Sequence, residues 1–269
     1  MLEVEGIIVN ETKYGETSKV LNILTKTHGL IGVMAKGANS LKSPFRSTST
    51  KLTYGFFIIY YKKGKLSILK EVTVINHFKK IKKDIEKISI SSYLLELSEN
   101  TYKQNNNPNI YKLLIETLLK IEEGYNPKAL MNILELKYLY YLGVAPILDE
   151  CAICGKKVHI ITLSSYKGGF ICQNCYQNEK IVSEKVIKLI RLFYHLDISK
   201  INKLSISKEI EEEINNFLND YYTRYTGLYL KNKDFLKNLS KINYWQNNNK
   251  NIKWKWKAMT GLETSSHIF

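Results

Sequence analysis

The densest chemistry in the chain is a set of four cysteines in two C-x-x-C pairs. Cys151 and Cys154 lie in CAIC, and after seventeen intervening residues Cys172 and Cys175 lie in CQNC. Paired thiolates at this spacing converge on one point, and four of them suit tetrahedral Zn²⁺ with Zn–S bonds of about 2.3 Å. One structural zinc per chain is therefore the expected cofactor. Catalytic zinc keeps an open coordination position and usually takes His or carboxylate ligands, whereas four sulfurs leave nothing open. His159, between the pairs, is the alternative fourth ligand; a lone His in such a ribbon is read here as surface. The H-x-E of zinc deaminases is missing, and two pairs without a βαβ unit do not match thioredoxin-type redox chemistry. The chain also has no G-x-x-x-x-G-K-[ST] and no G-x-S-x-G, so neither a phosphate-cradling loop nor a nucleophile elbow is expected. No enzyme is expected, and no catalytic residue is assigned.

A second feature is electrostatic. The chain of 269 residues carries 40 Lys+Arg against 25 Asp+Glu, a formal charge of +15. Such an excess suits a polyanionic partner, either nucleic acid or an anionic membrane surface. A lysine- and asparagine-rich genome would raise lysine everywhere, but the excess is uneven. Residues 1–75 hold 11 basic against 5 acidic side chains, and residues 76–150 hold 10 of each. From Thr17 to Lys70 there is no Asp or Glu at all. Within that stretch KGANSLKSPFRSTSTK (residues 36–51) sets Lys36, Lys42, Arg46 and Lys51 among small polar residues.

These groups need elements to hold them. Residues 1–76 read as five short strands, EVEGIIVNETK, SKVLNILTK, LIGVMAKG, LTYGFFIIYYK and KLSILKEVTVI, broken by THG, KGANSLKSP and KKG. Five such strands with a long third connection predict a small antiparallel barrel; an OB-fold is the expectation for one that binds polyanions, and an SH3-like barrel would leave a similar trace. From about His77 the apolar period becomes helical, with helices predicted over 78–102, 109–124 and 126–143. The cysteine insert occupies 149–176, with a ribbon turning at Lys167-Gly168-Gly169. Helix resumes at 183–196 and 208–232 and is expected to fold back on the earlier bundle. Glu209, Glu211, Glu212 and Glu213 are expected on a solvated face. Residues 240–269 read as a flexible tail in which Trp254 and Trp256 alternate with lysines. The fold class is thus α+β: an OB-fold barrel (1–76), a helical domain (77–148 plus 177–239) and an inserted four-cysteine zinc module.

This order of parts resembles the bacterial RecO family of recombination mediators. The resemblance rests on EGIIVNETKYGETSKVLNILTKTHGLIGVMAKGANS, with its YGE turn (Tyr14 to Glu16) and AKGA step (Ala35 to Ala38), on LTYGFFIIYYKKGKLSIL, and on the passage YLYYLGVAPILDECAICG to SYKGGFICQNC. It covers about residues 1–239. It implies a cytoplasmic, nucleoid-associated protein that binds single- and double-stranded DNA and anneals complementary strands. It further implies partnership with RecR and with the single-strand binding protein SSB, through its acidic C-terminal tail, in loading RecA. Some members of the family lack the cysteines, so the zinc is expected to be structural.

With DNA as the implied ligand, residues 36–51 become the phosphate-contacting connection of the barrel, with Lys36, Lys42, Arg46 and Lys51 as its cations and Lys13 and Lys19 extending the surface. Phe45 either stacks on a base or plugs the barrel end, and the core is its expected place. Two other classes share the charge: a zinc-ribbon transcription or RNA-binding factor, and a protein-only adaptor that binds acidic tails. No secretory signal or membrane span is expected, because MLEVEGIIVN is acidic and no apolar run approaches about 20 residues.

Overall fold

A computed structural model describes residues 1–233 together with Phe235 and Leu236. The predicted Trp/Lys alternation at 253–257 lies outside the described residues. Five strands form the N-terminal part: β1 (Leu2–Tyr14), β2 (Ser18–Thr25), β3 (Gly29–Ala35), β4 (Tyr54–Tyr60) and β5 (Ser67–Asn76). They close into a barrel in the order β1-β2-β3-β5-β4, the strand order of an OB-fold. Length lets β1 serve two neighbours: residues 2–7 pair with β4, and residues 6–14 pair with β2 across a bulge between Ile8 and Asn10. A bulge of this kind sharpens twist, which a small barrel needs in order to close. Inward positions alternate along the strands, so Val4, Ile8, Leu21, Ile23, Val33, Phe57, Ile59 and Leu69 form one core.

Helices follow. The predicted first helix is broken in two, α1 (Lys79–Lys82) and α2 (Ile85–Gln104). The break is chemical: the Asp84 carboxylate accepts from the Glu86 and Lys87 amides and so starts a new helix inside a run whose apolar period continues. α3 (Asn109–Glu123) ends at Gly124, which holds a φ of 113°. α4 (Pro127–Tyr141) is started by Asn126 as cap and Pro127 in its first turn. α5 (Glu184–His195) begins at the Ser183 cap, and α6 (Lys208–Tyr225) stops short of the predicted 232, just before Gly227 at φ 62°. α4 lies at the centre, touching α2, α3, α5 and α6, with Ala129, Leu130, Ile133, Leu134, Leu136 and Leu139 fully buried. The acidic face predicted for α6 is only partly solvated. Glu211 is buried and accepts a 2.6 Å bond from Asn126, because its position on the helix faces α4 rather than water.

Barrel and helices are joined by polar side chains as well as by packing. Glu5 of β1 accepts hydrogen bonds from Tyr54 (2.8 Å) and from Tyr111 of α3 (3.0 Å) and pairs with Lys26 (2.9 Å). Asn22 of β2 donates to Glu99 of α2 at 2.7 Å. At Gly29, where φ is +67°, any Cβ would lie 2.1 Å from the Tyr102 hydroxyl. A side chain there would be strained at this φ and would displace the Tyr102 ring, which shows how closely α2 lies against the β2–β3 turn.

Candidate functional site

The cysteine insert sits between α4 and α5 as a three-stranded sheet, β6 (Ile147–Cys151), β7 (Ile160–Ser164) and β8 (Gly169–Cys172), in the order β6-β8-β7. The predicted ribbon is the β7–β8 hairpin. β6, running parallel to β8, was not anticipated. Its approach is close enough that a Cβ on Gly169 would meet the Ile147 carbonyl oxygen at 2.1 Å. This pairing sets Cys151 at the end of β6 beside Cys172 at the end of β8. Cys154 follows in a tight turn closed by the Gly155 amide bonding to the Cys151 carbonyl, and Cys175 ends a single 3₁₀ turn. The insert is anchored to α5, where Arg191 donates to the Leu148 carbonyl and lies over the Phe170 ring, and His195 meets Asp149 at 2.9 Å.

The four sulfurs lie within 4.8 Å of one another, with Cys154 and Cys172 at 3.6 Å. A tetrahedron with metal–sulfur bonds of about 2.3 Å has edges of about 3.8 Å, so the spread suits a single ion. The donor chemistry agrees. Burial by itself would push the Cys151 thiol up, yet the amides of Cys154, Cys172 and Ile153 bring it down to about 6. Cys175 is instead pushed up to about 12, first by its hydrogen bond with Cys154 and then by burial and its other sulfur neighbours. One thiolate thus forms readily, and a bound cation would offset the charge of further thiolates gathered beside it. His159 is exposed and outside the cluster, its carbonyl accepting from the Gln173 amide. The four cysteines can hold a metal ion.

The basic connection of residues 36–53 is a string of turns fastened to the barrel. Asn39 bonds through its amide to the Thr17 carbonyl and Gly37 to the Ser18 hydroxyl, while the Leu52 amide donates to the Ile8 carbonyl and the Ile8 amide to the Thr53 carbonyl. Phe45 packs against the barrel core, as expected from the sequence. Lys13, Lys36, Lys42 and Arg46 are exposed, and Lys51 is half-buried. Lys19 differs from the rest: its side chain is only 13% exposed, pairs with Glu11 at 3.3 Å and donates to the Ser49 carbonyl. It ties the connection down, and its ammonium already has protein partners.

OB barrels usually receive ligands on the β2–β3 face and the loops beside it. Here α2 takes part of that face through Asn22 and Gly29, and Leu66 lies over Gly32. What remains open is the rim. Besides the 36–53 connection, the rim includes the β4–β5 turn, where Lys62, Lys63 and Lys65 are exposed next to Tyr60 and Tyr61. YYKKGK carried that information in the sequence but reads there merely as a turn.

A five-stranded OB-type barrel leading into a helical bundle, with a four-cysteine knuckle between α4 and α5, defines a basic barrel protein with a four-cysteine ribbon. Comparison with known proteins makes this specific. Residues 1–78 match the family model described as Recombination protein O N terminal, and residues 82–234 match Recombination protein O C terminal. The chain is 37% identical over 244 residues to DNA repair protein RecO of Bacillus cytotoxicus, covering 89% of this chain and 98% of the relative. It is 34% identical to the proteins of the same name from Listeria monocytogenes (92% and 97% covered) and Bacillus pumilus (90% and 96% covered). The chain belongs to the RecO family. Among the described residues no helix is long and apolar enough to cross a membrane.

Proposed function

We propose that this chain is a cytoplasmic, nucleoid-associated DNA repair mediator. It binds single- and double-stranded DNA through the acid-free barrel rim, anneals complementary strands, and with RecR helps RecA load onto SSB-coated single strands, meeting SSB at its acidic C-terminal tail. The observation that carries this reading is the exposed, basic 36–53 connection on an OB-type barrel in a chain of the RecO family. Exposed Lys36, Lys42 and Arg46 meet phosphates, and the hydroxyls between them donate to phosphate oxygens. Neutralising two backbones at once lowers their mutual repulsion, which is what annealing requires. Cys151, Cys154, Cys172 and Cys175 hold one Zn²⁺, whose role is to fix the insert against α5. The zinc supplies folding energy and no reaction step.

The action is stoichiometric, with no covalent catalysis. Annealing of complementary oligonucleotides by the purified chain is expected to proceed without nucleotide triphosphate, and a strict requirement for ATP would overturn the reading. Competition by RNA stronger than by DNA would instead favour an RNA-binding factor.

A further inference from the structure

We propose that the β4–β5 turn is a base-stacking site for unpaired nucleotides, built from Tyr61 and Tyr60 and rimmed by Lys62, Lys63 and Lys65. The assignment rests on the DNA-binding reading and adds to it a contact with bases rather than phosphates.

Two consecutive tyrosines are each 43% exposed at this turn. Neither ring belongs to the barrel core, and two partly exposed aromatics beside cations are more informative than a lone exposed one. Each ring is nevertheless held in place. The Lys70 ammonium lies 4.5 Å from the Tyr60 ring centre, and Tyr61 meets the His28 ring at 6.0 Å and 61°. The turn itself is braced by the Lys62 amide bonding to the Ser67 hydroxyl and by Leu66 lying over Gly32. Three exposed lysines follow these tyrosines within four positions, and none of residues 60–66 is acidic. Positioned aromatic faces inside a basic rim form the arrangement by which single strands are held without sequence preference, because every base has a π-face. Duplex bases stack on one another and offer no such face, so this contact selects unpaired strands.

Position supports the same occupant. β3 and β5 run parallel with Val33 beside Ser67, so the turn lies toward the Gly29 end of β3 and the 36–53 connection follows its other end. By register Tyr60 faces Ile68 and Ile68 faces Met34, so about two residues of strand, or about 7 Å at about 3.4 Å per residue, separate the base of the turn from Lys36. One strand can therefore contact both, within the span of about 4–16 nucleotides that a single OB barrel holds.

The test uses the full chain, labelled dT₂₀, and a 20-unit strand of abasic tetrahydrofuran sites with the same phosphates. Tyr61→Ala is expected to weaken dT₂₀ by about 5- to 150-fold, the range for one stacked base. The abasic strand, a duplex and the salt dependence should be unaffected, and Tyr61→Phe should restore dT₂₀ binding. Equal loss on both strands, or no loss on dT₂₀, would overturn the assignment. Equal affinity of the unsubstituted chain for the two strands would also overturn it while leaving phosphate binding intact. Failure to bind either strand would overturn the DNA reading and this site with it.

Discussion

Replacing Lys36, Lys42, Arg46 and Lys51 together by Ala tests the barrel rim directly. Each cation that neutralises a phosphate on a single strand contributes about 0.7 to the slope of log affinity against log salt. Four contacts would flatten the slope by about 2.8, and three, without half-buried Lys51, by about 2.1. If these contacts act by counterion release alone and vanish near 1 M salt, the loss at 0.1 M is about 600-fold for four and about 130-fold for three. The fold should survive: Lys36, Lys42 and Arg46 are exposed, and among the described residues none of the four is seen paired with a carboxylate. Lys19→Ala is the internal contrast. It removes the Glu11 pair and the Ser49 tether, so it should lower thermal stability and leave the slope nearly unchanged. Anisotropy titrations with a single strand from 50 to 400 mM salt read the slope, and a melting curve reads the fold. The reasoning fails if Lys79, Lys80, Lys82 and Lys83, replaced together, flatten the slope more than the rim quartet does.

Cys172→Ser should abolish stoichiometric zinc, measured by a colorimetric chelator, and raise amide exchange across residues 149–176 much more than in the barrel; one metal per chain after that change would refute the four-thiolate site. Glu5→Leu would leave the buried Tyr54 and Tyr111 hydroxyls without their acceptor and should cost about 2–5 kcal/mol in urea unfolding, against about 1 kcal/mol for Glu5→Gln. Burial would raise the Glu5 carboxyl, but Lys26, Tyr54 and Tyr111 outweigh it and hold it below its ordinary value. Its contribution is then complete above the unfolded carboxylate range and is lost as pH falls through the folded value, so the gap between the native chain and Glu5→Leu should narrow below about pH 4. A gap unchanged from pH 7 to pH 3 would refute this.

Where local chemistry decides structure, the sequence was legible. β-Branched runs with turn residues between them gave five strands close to those observed, and two C-x-x-C pairs gave a cluster that forms in space. What escaped depends on tertiary neighbours. β6 is five residues long and pairs in parallel with a strand reached only after β7, so no local signal marks it. Asp84 could have been read as a cap, but the apolar period runs through it. Lys19 looked like any other cation of the rim, although one pattern held a clue. In the β1–β2 register Lys13 faces Lys19 and Glu11 faces Leu21. That makes Glu11 a diagonal neighbour of Lys19, within reach of a long side chain.

The distribution of charge and the placement of α2 explain one another. The helix that leans on the β2–β3 face brings Glu99, bonded to Asn22 and to Lys103, to the place where an OB barrel would ordinarily receive a strand. That carboxylate is already paired with Lys103, so the pair offers phosphate no free cation, and the middle of the chain, with as many acids as bases, adds no excess positive charge to attract it. On the proposed function, DNA held by this barrel would run away from the helical region and along the rim, from the 36–53 connection toward the β4–β5 turn. Both segments lie in the acid-free span Thr17–Lys70, and the first acid after it, Glu71, lies on β5 beyond the turn. Acids are thus absent from the two segments left uncovered and present on the helix that does the covering. A lysine-rich genome would raise cations throughout and would not produce this separation, so the pattern is better explained by the path of a polyanion.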